Sequence, residues 1–428
     1  MSTISINGPR SLFVIATLVA FSSGAARAQG ANYELGGHVK ARALADYFPD
    51  NSVIGQTSGS SWFDLESDLR VNFSARQGAF EIDADWQLFA SYGDRVEQSQ
   101  TLLPAGLPGF VGIPTDDRRL MDLTDTIKDG DRFRALHRLD RLSVGYSSEK
   151  LVLRLGRQAI SWGNGLIFSP MDIVNPFDPT IVDTEYKIGD DMAYGQFLLS
   201  NDDDIQFSHV FRRDPVSGDT DSDVATTALK YHGILGDAEI DLLVARSYDE
   251  TTFGIGGNKS VGGAVWRGDV VLSDTASGNR LQLVTNFSYS WQWGGRNMSG
   301  VVEYFFTEFG QKNGQYDLPS VTQNTALTNR LARGESFTLG RNYLAGGITI
   351  EVNPLWLVTP NLFANLDDSS ALLQVTTVYS ISDDAEFLGA INLPIGPDGT
   401  EFGGIRVGQD NLFYSTELSL FAQLAWYF

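Results

Sequence analysis

Two neighbouring stretches of this chain alternate so strictly that few folds remain open to it. In "FDLESDLRVNF", Phe63, Leu65, Leu69, Val71 and Phe73 share one parity, and Asp64, Glu66, Asp68, Arg70 and Asn72 share the other. In "FEIDADWQL", Phe80, Ile82, Ala84, Trp86 and Leu88 alternate with Glu81, Asp83, Asp85 and Gln87. A period of two sends successive side chains to opposite faces of a strand. The intervening "ARQGA" supplies Gly78 for a tight turn. The pair therefore predicts an antiparallel hairpin with one apolar face and one charged face, a pattern that a helix would spread around its whole circumference.

The unit recurs along the chain, in "KLVLRLGRQ", "DIQFSHVF", "AEIDLLVA", "RLQLVTNFSYSW", "SGVVEYFF", "LAGGITIEV", "ALLQVTTVYSI" and the closing "LSLFAQLAWYF". Helical periods are scarce, and no later stretch approaches the run of about eighteen apolar residues that a spanning helix needs. The reading is about eighteen strands between Tyr33 and Phe428, with residues 248–275 forming either one strand or two. Tight connections near Gly78, Ser148, Asp203, Gly236, Gly294, Pro354 and Asp384 interleave with long ones near 49–61, 93–132, 161–189, 311–337 and 396–411. Short turns at one rim and long loops at the other belong to a transmembrane antiparallel up-and-down β-barrel, all-β and a single domain over 29–428. A soluble sandwich would need a second sheet over each of these apolar faces.

The N-terminus supports export. Arg10, the apolar run Leu12 to Phe21, and "ARA" ending at Ala28 have the three parts of a signal peptide over 1–28. Its removal takes away Arg10 and Arg27, so the charge of -22 becomes -24, a balance that disfavours nucleic acid as a partner. There is no cysteine, which excludes disulfide, thiolate and zinc-thiolate chemistry. By parity, Tyr146, Trp356, Tyr379, Phe387, Trp426 and Phe428 face lipid near the short turns, and Tyr47, Phe63 and Tyr414 near the long loops, as two aromatic girdles require.

A last strand ending in Phe428 with Trp426 two before it resembles that of bacterial outer-membrane β-barrels, and "LRLGRQAISWGNGLIFSPMDIVNP" (153–176) is similar to the "GRQ…SWG…NP" signature of a porin-like outer-membrane family with a distant likeness to alginate-export barrels. Residues 340–390 look like that family's closing hairpins. The resemblance implies the cell outer membrane as location, with membrane lipid and lipopolysaccharide as surroundings. It also implies recognition of the terminal strand by the barrel assembly machinery. It names no substrate, and it leaves the oligomeric state open with a monomer slightly favoured.

If the apolar parity faces lipid, the other parity lines a lumen. That set holds Lys40, Arg42, Arg70, Arg141 and Arg154 interleaved with Asp64, Glu66, Asp68, Glu81, Asp83 and Asp85, while the closing strands supply neutral residues such as Thr349, Asn361, Gln374 and Gln423. Such charges either orient a polar solute across a pore or pair across strands and keep the wall folded. The 161–189 connection is too apolar to stand free in water, and Pro170, Pro176 and Pro179 stiffen it. It is expected to fold against the inner wall and narrow the pore through Leu166, Phe168, Asp172, Phe177 and Asp178, the alternative being packing on a neighbouring outer loop.

Catalytic signals are poor. His38, His137, His209 and His232 stand apart, with no serine or acid at a recognisable spacing. "GIGGNKSVGG" lacks the order of a phosphate-binding loop. "NDDD" and "TDSD" read as solvated turns rather than calcium sites, so no cofactor or metal is expected. The chain reads as a channel for small hydrophilic or amphipathic solutes rather than an enzyme. A surface-binding or scaffold barrel sheathing a partner is the alternative, and an outer-membrane enzyme a more distant one.

Overall fold

Eighteen antiparallel strands close on themselves in a computed structural model that describes residues 32–99, 115–312, 314, 316–408 and 411–428. The expected leader at 1–28 and part of the 93–132 connection lie outside the described residues. The first strand, Asn32–Tyr47, pairs on one side with Ser61–Gln77 and on the other with the last, Leu418–Tyr427. At the seam Tyr47 lies opposite Leu418 and His38 opposite Tyr427. Phe428 locks it, accepting from the Gly37 N–H at 3.0 Å and donating back at 3.1 Å. Closure leaves no unpaired edge in the wall, which is the condition for a sheet to cross hydrocarbon.

The pleat sorts side chains as the alternation requires. On the first two strands Leu35, Val39, Phe63 and Leu65 are exposed outward, while His38, Lys40, Asp64, Asp68 and Arg70 are buried inside. Trp293, Trp356, Tyr379, Trp426 and Phe428 are exposed outward near the short turns, and Tyr47, Phe63 and Tyr92 near the long loops. Tyr414 does not join the upper girdle. It lies in a short strand, Leu412–Tyr414, outside the barrel wall and packs against the clusters around Trp62 and Tyr316. Its parity placed it outward only because the loop was taken as wall.

Residues 248–275 resolve into two strands, Glu250–Val261 and Ala264–Thr275, around a turn at Gly262 and Gly263. The asymmetry of the rims is less uniform than expected. Three of the outer connections, 248–249, 276–277 and 366–369, are as short as turns, and a longer outer loop at 211–225 had no signal in the alternation.

A register shift corrects one stretch of parity. Asp85 pairs with Arg141 and Trp86 with Leu139, so Asp140 is the extra residue of a β-bulge. A bulge swaps the faces beyond it. Asp140 and Arg138 thus join Arg141 inside, at 1% and 4% exposure.

Candidate functional site

The 159–189 connection enters the barrel. Its path begins at Gly156, whose φ of 124° lies in the left-handed half of the map, where a Cβ would also stand 2.2 Å from the Leu142 carbonyl oxygen. Only glycine meets both conditions. The next residue, Arg157, donates to Asp191 at 2.8 Å and Asp116 at 3.0 Å, which clamps the end of Leu151–Gln158 to its neighbours. The Asp116 carboxyl is held below its usual range although burial opposes this, through the Arg157 charge. Trp162 donates its indole N–H to Gln206 at 2.8 Å, and Asn175 takes a φ of 51° just before Pro176. Gly156, Arg157, Trp162 and Asn175 thus shape the path on which the chain turns inward.

Three wall carboxylates receive the loop. Asp269 accepts from the Asn164 backbone N–H at 2.7 Å and its side chain at 2.8 Å, and Asp241 accepts from the same amide at 3.1 Å. Glu303 accepts from the backbone N–H groups of Leu166, Ile167 and Phe168 at 2.7, 3.1 and 2.6 Å. Apolar contacts complete the seat. Trp162, Met171, Ile173 and Val174 pack on inward residues of the wall, Met192, Val210, Leu243 and Val271 among them. Phe168 stacks on Phe305 with ring centres 4.7 Å apart.

The loop then crosses to the charged side. Gln374 donates to the Thr180 carbonyl at 2.8 Å. Asp183 takes Lys40 at 2.7 Å and Arg42 at 3.0 Å, while Glu185 takes Lys40 at 2.6 Å and accepts from the Tyr427 hydroxyl at 3.1 Å. Tyr186 lies 4.0 Å beneath the Arg70 guanidinium. The Asp183 carboxyl sits below its ordinary range, because the Lys40 hydrogen bond and the Lys40 and Arg42 charges outweigh burial.

Each site residue expected from parity has a definite place. Lys40 and Arg42 meet the loop rather than only the strand opposite. Arg42 also lies 3.8 Å from Glu66 and 3.6 Å from Asp68. Arg70 bridges Asp85 at 3.4 Å and Asp140 at 3.0 Å. Arg141 holds the Asp140 carboxylate at 2.6 Å and the Lys187 carbonyl. Asp64 receives the Arg95 backbone N–H at 2.8 Å near the outer rim. Glu81 pairs with Arg76 at 2.6 Å, and Asp83 with Ser143 at 3.4 Å, both toward the turns. Arg154 lies over the Tyr194 ring at 5.3 Å, away from the loop's ion pairs.

Within the loop the expected set divides. Asp178 borders both of two cavities, one of about 590 Å³ toward the outer loops and one of about 840 Å³ toward the turns. Pro179, Ile181 and Val182 share that position. Leu166 and Phe177 border only the inner cavity and Phe168 only the outer. Asp172 is buried at the base, with Lys187 at 2.6 Å. Burial pushes its carboxyl up to about 6 against the pull of Lys187, and burial likewise lowers the Lys187 ammonium. Asp172 supports the loop and borders the inner cavity together with Leu166 and Phe177.

Arg138, Asp140, Glu303, Asp269, Asp183 and Glu185 had escaped the reading by parity. Asp183 and Glu185 carried a signal, two acids at alternate positions near the end of the inward loop. The bulge at Asp140 carried none. The four histidines remain apart: His38 stands 3.8 Å from Asp68, His137 3.6 Å from Asp125, and His209 and His232 bond Thr227 and Asp241 at 2.7 and 3.0 Å.

No family model and no curated protein matches the sequence. Solved structures do resemble it in fold. Acinetobacter baumannii OccAB4 aligns with a TM-score of 0.53 at 7% identity, over 92% of this chain and 98% of that one. Pseudomonas aeruginosa OpdQ aligns at 0.50 and 8%, over 92% and 97%. A BenF-like porin from Pseudomonas fluorescens Pf-5 aligns at 0.49 and 9%, over 92% and 98%. At such identities the likeness is one of architecture: the chain has the closed eighteen-strand fold of outer-membrane porins.

Proposed function

We propose that this protein is an outer-membrane channel for small hydrophilic or amphipathic solutes, with the 178–182 segment as its constriction. The observation that carries the reading is the position of that segment between the outer and inner cavities, both of which it borders. Eighteen strands enclose enough width for an aqueous passage, and an inward loop is the part that sets its narrowest section. The charged arc at Lys40, Arg42 and Arg70 lines the outer cavity, and a neutral arc at Asn361, Gln374 and Thr376 lines the inner one, so a solute meets first a charged and then a neutral wall. Outward apolar faces with aromatic residues at both rims support a lipid and lipopolysaccharide surround, and the strand ending at Phe428 supports handling by the barrel assembly machinery.

The test is conductance in planar bilayers. Replacing 177–182 by two glycines leaves the anchors at Asp269 and Glu303 in place and should raise single-channel conductance several-fold. An unchanged conductance from a folded variant, shown by heat-modifiable gel mobility, would remove the constriction. Absence of conductance from the folded wild-type protein would remove the channel.

A further inference from the structure

The inward face of the outer half is not uniformly polar. Ala345, Phe363, Leu372 and Pro394 lie in direct register on four consecutive strands, so they form one row across the inside of the wall. Two further inward pairs, Leu44 with Phe421 and Phe89 with Leu136, also lie directly opposite each other across adjacent strands. The alternation rule fills inward positions with polar residues. Apolar side chains at these registers line the outer cavity together with Phe337 and Phe402 of the outer loops. Phe89, Phe337, Phe402 and Phe421 are only half-buried, so they keep apolar surface toward the cavity.

The wall of the same cavity holds buried hydrogen-bond donors. Arg138 is 4% exposed and borders it. One of its nitrogens meets Asp140, and its Nε and Nη1 have no hydrogen-bond partner among the described residues. The Arg70 Nε is likewise without one. Seven carboxyl groups and five bases border the cavity, so bulk charge does not favour an anion. The unsatisfied groups are nevertheless donors, and a buried donor without an acceptor is costly.

We infer that the outer cavity is a binding site for an amphipathic solute, whose apolar body lies against the Phe89, Phe337, Phe402 and Phe421 side chains and whose hydrogen-bond-accepting head meets Arg138. The inference rests on the channel reading and narrows it to one class of solute. A purely hydrophilic solute gains nothing from apolar side chains at this level. An apolar body gains in proportion to the surface it removes from water.

The test is current block by straight-chain carboxylates from acetate to octanoate, with the head constant and the body growing. Block should tighten about fourfold per methylene until the cavity is full. The double variant F89S/F421S should flatten this dependence without loss of conductance. Alkyltrimethylammonium ions of matched length should block far less, because their head accepts no hydrogen bond. Block that ignores chain length in a conducting channel would overturn the apolar site, and equal block by the ammonium series would overturn the role of Arg138. Failure of the channel reading is distinct from both, since it shows as no current at all.

Discussion

Glu303→Gln should loosen the loop that narrows the barrel, and the structure sets the size of the effect. Glu303 is 0% exposed and accepts four bonds, three from backbone N–H groups of the loop and one from Asn286 at 3.0 Å. A glutamine can keep its oxygen toward Ile167 and Phe168, but its amide nitrogen then faces the Leu166 N–H and the Asn286 amide. A buried donor left without an acceptor costs about 1 to 3 kcal/mol, and each charge-assisted bond made neutral loses about 1 kcal/mol more. The sum is about 3 to 5 kcal/mol, or about a hundredfold or more in the balance between seated and released loop. Single-channel recording should show new flicker between conductance levels, and limited proteolysis of the folded barrel should cut within 164–182 much faster. Glu351→Gln, at a half-buried glutamate near the turns bonded to Asn297 at 2.9 Å, serves as the control. If E303Q and E351Q matched the wild type in both assays, the carboxylate would not be what holds the loop.

Two further outcomes follow from the same geometry. D183N/E185Q unmasks Lys40 and Arg42 and should shift the reversal potential in a salt gradient toward anions. Because the Asp183 carboxyl is held below its usual value of 3.8, its part of the masking is present above that pH and lost only as pH falls through the lowered value; a reversal potential unmoved by the double variant would mean the loop acids do not mask the basic arc. Gly156→Ala should lower the yield of folded, heat-modifiable barrel, since the positive φ alone costs about 1 to 3 kcal/mol and the Leu142 carbonyl would be met at 2.2 Å; normal yield with normal conductance would show that the turn inward does not need glycine.

Period-two alternation, with tight turns interleaved with long loops, determined that the chain is a barrel and which parity faces inward on every strand without a bulge. Lys40, Arg42, Asp64, Glu66, Asp68 and Arg70 were legible for that reason, because a pleat fixes side-chain direction from local sequence alone. The apolar, proline-stiffened loop at 161–189 was legible as something that must be covered. Partners were not. Asn164 meets Asp269 across 105 positions and Phe168 meets Glu303 across 135, and no local pattern encodes register over such separations. Arg138 and Asp140 turned inward only through a bulge, which adds one residue and leaves composition unchanged. Phe363, Leu372 and Pro394 belong to three different strands, and each looked like an isolated exception to the alternation. Strand pairing set them side by side in one row, and that row, a property of the assembled wall, turns scattered apolar residues into a surface.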